Sequence, residues 1–289
     1  MTSSCDLSND HLSLSVASMG AEMQYLRTAA GADLLWNGDP AFWTGRAPVL
    51  FPIVGKAVND TIAVGAHEAQ MPQHGFARRC DFSLEEQSTT RCHHVLRPND
   101  KTRAAYPFEF ALHISHELNN DTLTVSARVE NHSSRPMPFG FGFHPAFRWP
   151  LPGSDASKHS INLETKGAPK QRPLRPDGLL ERDLVRSPFD NGELEITEPL
   201  FAHGALVFPN GSDDLIFSAN AGPKLAFRFH NLPDLALWKL VGAPFLCIEP
   251  WHGTASLVGD GPQIGDRPNS LVLEPDVGVE FGYSVTVTP

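Results

Sequence analysis

Three stretches of the chain set chemically capable side chains among glycine, proline and aromatic residues. Residues 47–56 read Ala-Pro-Val-Leu-Phe-Pro-Ile-Val-Gly-Lys and lead on to Gln73-His74-Gly75-Phe76-Ala77-Arg78. Residues 139–147 read Phe-Gly-Phe-Gly-Phe-His-Pro-Ala-Phe, and residues 245–253 read Phe-Leu-Cys-Ile-Glu-Pro-Trp-His-Gly. His144 follows alternating Phe and Gly and precedes a proline, which predicts a partly apolar setting that tunes its charge. Glu249 follows Leu-Cys-Ile, the pattern of a buried strand. A carboxylate at the end of such a strand is costly unless it has partners or chemical work. Free glutamate titrates near about 4.3 and free histidine near about 6.5. Such a pair supplies one base and one acid near neutral pH, each worth roughly 10²- to 10⁴-fold in rate when well placed. Trp251 adds an aromatic face of the kind that stacks on the C–H face of a sugar ring. Taken singly, a histidine or glutamate near aromatics is usually a hydrogen-bonded structural group, and spacing does not bring His74, His144 and Glu249 together.

The elements that must position these residues read as strands. The chain has 289 residues, with 25 prolines and 23 glycines spread along its length, which leaves little room for long helices. Residues 11–16, 123–129, 225–229 and 283–287 alternate with period two, so each offers one face to a core. Residues 111–118 alternate less cleanly, and Asn119-Asn120-Asp121 between them and 123–129 predicts a hairpin. No helical stripe exceeds about two turns, and no solenoid or propeller repeat is present. The stretch 151–198 is rich in Pro, Asp, Gly and Arg and reads as long loops or an excursion anchored by scattered Leu, Val and Phe. One domain, residues 1–289, with both termini on strands, is expected.

In order along the chain, Ala-Pro-x-Leu-Phe-Pro, Gln-His-Gly-Phe-Ala-Arg, Gly-Phe-His-Pro-Ala-Phe and Ile-Glu-Pro-Trp resemble the signatures of the aldose 1-epimerase (galactose mutarotase-like) family, in its bacterial branch. The resemblance runs from about Trp36 to the C-terminus. It implies an all-β fold, a large antiparallel β-sandwich (the mutarotase supersandwich), with a sugar cleft across one sheet. It also implies catalytic roles for Glu249, as the base on the C1 hydroxyl, and His144, as the acid on the ring oxygen. His74 is implied to hydrogen-bond the sugar and stabilise developing charge. Ring opening, rotation of the aldehyde carbon and closure would then exchange the anomers, with no redox step, no group transfer and no cofactor. Lys56, Arg78 and Trp251 are the implied substrate contacts. Lys56 departs from the Gly-Arg common in the family, keeping the charge but losing the planar fork of donors. Arg78 reads equally well as a buried structural ion pair.

The totals narrow the partners. A net charge of −10 argues against nucleic acid and membrane surfaces, leaving a small-molecule sugar as the expected partner of a monomer or homodimer. Cys5, Cys80, Cys92 and Cys247 form no CxxC pair and read as free thiols in a reducing compartment. Residues 1–10 lack the basic and then apolar pattern of a secretory signal, so a cytoplasmic location is expected. No metal is expected either. His93-His94 are adjacent and His113 and His116 lie three apart, so each pair diverges on a strand and matches no known zinc spacing. His252 reads as loop surface or as support for Glu249. Residues 201–204 and 229–231 read as strand ends or cleft walls. Two other functions compete with mutarotation of a free aldose. One is mutarotation of a sugar phosphate, which needs a cationic cluster that Lys56, Arg78 and Arg79 would supply. The other is a carbohydrate-binding or regulatory protein without turnover.

Overall fold

The computed structural model describes residues 3–154, 158–165 and 167–288. The remaining positions, which fall in the stretches 1–10 and 151–198 and at residue 289, lie outside the described residues. Two large antiparallel sheets dominate. The larger has nine strands in the spatial order Glu193–Glu195, His159–Leu163, Leu215–Ala219, Lys224–His230, Gly278–Thr288, Thr122–Asn131, Phe110–Asn119, Arg91–Leu96 and Ser83–Gln87. The smaller runs Leu206–Phe208, Asp234–Trp238, Phe245–His252, Phe141–Phe143, Val49–Leu50, with Ala146–Arg148 also paired to Phe245–His252. A three-stranded sheet, Ser4–Ser8, Leu12–Ala17 and Met23–Thr28, carries the N-terminal segment. The expected hairpin is present: Phe110–Asn119 pairs with Thr122–Asn131 from Leu118 opposite Leu123 to Phe110 opposite Asn131. Asn120 at its turn takes φ 52°, a left-handed conformation that asparagine tolerates.

The sheets pack face to face through the period-two alternation. Phe141 stacks on Phe281 at 4.8 Å, Phe143 meets Tyr283 at 5.0 Å and Phe147 meets Phe227 at 5.1 Å. In residues 139–144 every second side chain is therefore a core phenylalanine, while Gly140, Gly142 and His144 belong to the other face. Along Phe245–His252 the same rule sends Leu246 and Ile248 into the core between the sheets. Phe245, Cys247 and Trp251, with Glu249 among them, belong to the outer face of the smaller sheet. That outer face carries the site.

The stretch 151–198, read as long loops or an anchored excursion, also contributes two strands. His159–Leu163 and Glu193–Glu195 form the far edge of the nine-stranded sheet. Period-two patterning is short in both, and a three- to five-residue strand between breakers leaves little signal. Leu180, further along, bridges to Leu257 and takes a hydrogen bond from Val258 N–H at 2.9 Å, which holds the excursion across the outer face of the smaller sheet. Among the described residues no helix is long and apolar enough to cross a membrane.

Candidate active site

A cleft of about 380 Å³ opens on the outer face of the smaller sheet, and Glu249, His144, His74, Arg78 and Trp251 all line it. Glu249 comes from the middle of the smaller sheet, opposite Ala236 on the neighbouring strand; that small side chain leaves room above the carboxylate. His144 follows directly on Phe141–Phe143, the strand on the other side. Its Nε2 lies 3.1 Å from Oε2 of Glu249. The approach is close but not aligned as a hydrogen bond, so Oε2 has no donor and the His144 Nδ1 has no partner either. Two buried polar atoms left open in a cleft cost about 1–3 kcal/mol each, a cost a bound ligand relieves.

Burial governs the charge of this pair. It pushes Glu249 well above the usual carboxylate range and takes His144 down to about 3. Both directions disfavour separated charges, so burial favours carboxylic acid with neutral imidazole over carboxylate with imidazolium. Polar groups of a ligand in the cleft would solvate the alternative, carboxylate and imidazolium, at no change in net charge.

His74 reaches the same space from a strained turn. Its φ of 67° is left-handed, and such conformations in non-glycine residues persist where the surroundings over-determine them. Here the backbone is held by His74 N–H to the Gly55 carbonyl at 2.9 Å and by a bridge between Gly75 and Phe51. A Cβ on Gly75 would stand 2.1 Å from the Phe51 carbonyl oxygen, which explains the glycine of the Gln-His-Gly-Phe run. The ring Nδ1 accepts the Gly55 N–H at 3.1 Å, which leaves the proton of the neutral ring on Nε2. Burial first, then His144, Arg78 and Arg267, hold this ring well below its ordinary pKa, which favours the neutral ring, and its Nε2 lies 3.3 Å from the Gln73 side-chain amide. The His74 and His144 ring centres are 5.5 Å apart.

Aromatic walls complete the cleft. Trp43 stands 5.0 Å and Trp238 5.7 Å from the His144 ring. Trp251 is 6.3 Å from His74, and its buried Nε1 has no hydrogen-bond partner. The indole of Trp251 lies over Gly142, where a Cβ would come within 2.5 Å of its Cδ1. Arg78 donates to the Gln73 carbonyl at 2.9 Å, while its Nε is buried and unpartnered.

Lys56 is not among the cleft-lining residues. Its ammonium faces Asp60 at 3.7 Å, and its methylene stem lies against Gly178, which does line the cleft. His252 ends the Glu249 strand and bonds the Asn231 carbonyl at 2.9 Å, away from the cleft. Gly204 lines the cleft, while Phe229 and His230 line a separate depression on the nine-stranded sheet.

Sequence reasoning missed Trp43, Trp238 and the wall formed by Leu174, Gly178 and Leu180. It also missed Arg267. This buried guanidinium donates to the Val54 carbonyl at 2.6 Å, the Thr254 carbonyl at 3.0 Å, the Lys56 carbonyl at 3.3 Å and the Ser256 hydroxyl at 2.6 Å. It thereby clamps together the two segments that carry cleft residues Gly55 and Ala255. No spacing signal marks an arginine that joins nearby Thr254 and Ser256 to backbone carbonyls 211 and 213 positions away.

The cleft on the smaller sheet of the antiparallel β-sandwich thus sets a carboxyl and an imidazole at its floor and indoles on its walls. The aldose 1-epimerase family model matches residues 3–262, and the chain belongs to that family. It is similar to the protein LacX (plasmid) of Lactococcus lactis subsp. lactis, 28% identical over 98% of each chain. Among solved structures it is similar to a galactose mutarotase related enzyme from Lactobacillus acidophilus, with a TM-score of 0.93 at 25% identity, covering 99% of this chain and 98% of that one. A galactose mutarotase-like protein from Lactobacillus casei matches with a TM-score of 0.92 at 27% identity, over 99% of this chain and 100% of that one.

Proposed function

We propose that this protein is an aldose 1-epimerase that interconverts the α and β anomers of a free aldose. The observation that carries the reading is the Glu249–His144 pair, 3.1 Å apart at the floor of the cleft. The C1 hydroxyl and the ring oxygen of an aldose are bonded to the same carbon, so the base and the acid that serve them must stand a few ångströms apart. In the carboxylate–imidazolium form, Glu249 takes the C1 hydroxyl proton while His144 gives its proton to the ring oxygen. The C1–O bond of the ring breaks and the open-chain aldehyde forms. The pair is then carboxylic acid and neutral imidazole, the form burial favours. Rotation about the C1–C2 bond presents the other face of the aldehyde. Glu249 returns its proton to the carbonyl oxygen as the ring hydroxyl attacks, and His144 takes back the proton of that hydroxyl. His74 Nε2–H donates to a sugar oxygen and steadies the negative charge that develops there. The indoles supply apolar faces for the sugar C–H groups.

A sugar phosphate would require converging cations, and of Lys56, Arg78 and Arg79 only Arg78 lines the cleft; that favours the unphosphorylated substrate. A binding protein without turnover has no use for a base and an acid aimed at one point. Polarimetry of freshly dissolved α-glucose and α-galactose, in a buffer that catalyses little mutarotation, tests the reading. The expected result is relaxation to the anomeric equilibrium at a rate proportional to protein concentration. No acceleration with any free aldose, from protein shown to be folded, overturns it.

A further inference from the structure

Inside the sandwich, on the inward face of the nine-stranded sheet, a second group of ligating side chains converges. Cys92 and His94 sit two apart on Arg91–Leu96 and both point inward. His116 lies directly opposite Cys92 on the neighbouring strand, Phe110–Asn119, and points to the same face. The donor atoms of Cys92, His94 and His116 lie within 4.8 Å of one another. All three residues are enclosed, at 0%, 1% and 2% exposure. They are set among core residues such as Leu7, Leu14, Ile114 and Leu118. The Nδ1 atoms of both His94 and His116 are buried without a hydrogen-bond partner. Two adjacent unpartnered imidazole nitrogens in an apolar core are costly, each by about the desolvation penalty of an unmade hydrogen bond. From the third sheet, the strand Ser4–Ser8 brings the buried Cys5 thiol into interaction with Cys92.

We propose that Cys92, His94 and His116, with Cys5 as the fourth donor, form a zinc site that ties the N-terminal three-stranded sheet to the nine-stranded one. Two thiolates and two imidazoles are the soft and borderline donors that tetrahedral zinc takes. The size is right as well. The corners of an equilateral triangle of side 4.8 Å stand about 2.8 Å from its centre, and zinc bonds are about 2.0–2.3 Å. Cys92, His94 and His116 therefore each have at most about 0.5–0.8 Å to move, while Cys5, outside that group of three, closes on the ion from the third sheet. On binding, the two thiols release their protons to solvent and the site becomes neutral, which suits an enclosed core. Because the donors are enclosed, the ion enters as the chain folds. The sequence reading missed this set because it sought His–His pairs. A Cys-x-His strand pair and a His on the next strand meet only through register.

His144, Cys247 and Glu249 also bring donors within 4.8 Å of one another, so the test must separate the two sets. Full-length protein is refolded from urea with zinc under reducing conditions, freed of excess ion and assayed for bound metal. X-ray absorption at the zinc edge then reads the donor types. One zinc per chain with two sulfur and two nitrogen donors is expected. A cobalt-loaded sample should show a thiolate-to-cobalt charge-transfer band and the visible bands of tetrahedral cobalt. Both signals should be lost in Cys92→Ala and weakened in Cys5→Ala, yet kept in Glu249→Gln. Since Cys92→Ala perturbs the core, the absorption spectrum of the wild type stands as the independent readout. Binding far below one equivalent overturns the proposal. So does a site without two sulfur donors, metal retained in folded Cys92→Ala, or a Cys5–Cys92 disulfide whose reduction gives no zinc uptake.

Discussion

Replacing Glu249 by glutamine keeps the size of the side chain and removes its ionisation, and two effects follow that only a buried catalytic base would give together. The rate effect is the loss of one well-placed proton-transfer group, a fall of about 10²- to 10⁴-fold in kcat, or about 3–5 kcal/mol of barrier. Polarimetry with the best free aldose reads it directly. The stability effect has the opposite sign. Burial raises the folded-state pKa of Glu249 above its unfolded value. Its contribution is therefore fully present below the unfolded value of about 4.3 and lost as pH rises towards the folded one, at about 1.4 kcal/mol per pH unit. Glutamine carries no such term, so urea unfolding should show the variant gaining stability relative to wild type as pH rises through that window. An inactive variant that is less stable at every pH would mean that Glu249 is a structural hydrogen-bonding group. A variant with wild-type turnover would refute its role as base.

Three further outcomes follow from the same geometry. Gly142→Ala should raise KM more than it lowers kcat, because the new Cβ meets the Trp251 indole at 2.5 Å and displaces the ring proposed to face the sugar while leaving Glu249 and His144 in place; a kcat loss at unchanged KM would contradict this. Arg267→Met should cost about 3–5 kcal/mol in urea unfolding, since it strands several buried acceptors, and a change under about 0.5 kcal/mol, the usual range for surface substitutions, would show that the clamp contributes little. Zinc-free protein should also lose stability in mild acid. Burial lowers His94 to about 4 and His116 and His144 to about 3, so their contributions are full above the unfolded value of about 6.5 and are lost as pH falls towards the folded values. In Glu249→Gln protein, which lacks the opposing slope of Glu249, the three together amount to about 4 kcal/mol between about pH 7.5 and about pH 5.5, and a flat stability profile of that variant over the range would show that these rings are solvated.

Much of the architecture was legible because strand periodicity is local. The runs 123–129, 225–229 and 283–287 fall within strands, the run 11–16 does so from Leu12 onward, and the asparagine-rich turn marked the hairpin. The edge strands at His159–Leu163 and Glu193–Glu195 were not legible, because breakers surround segments too short to show a period. At the site, the alternation of Phe and Gly before His144 already says that the phenylalanines and the histidine face opposite ways. The structure adds that the histidine's side carries a cleft.

What the sequence determines by itself, then, is residue type and face. A carboxylate belongs to a buried strand, imidazoles sit in glycine-bearing runs, and each side chain's side of its sheet follows from parity. What only the tertiary structure decides is register and convergence. It sets Glu249 against His144 at 3.1 Å, turns Lys56 away from the cleft and towards Asp60, brings Trp43 and Trp238 over the pair, and lays His116 beside Cys92. The reason is physical: which face a residue takes depends on its own backbone, whereas which residues meet depends on strand pairings between segments far apart in the chain, and no local pattern encodes those.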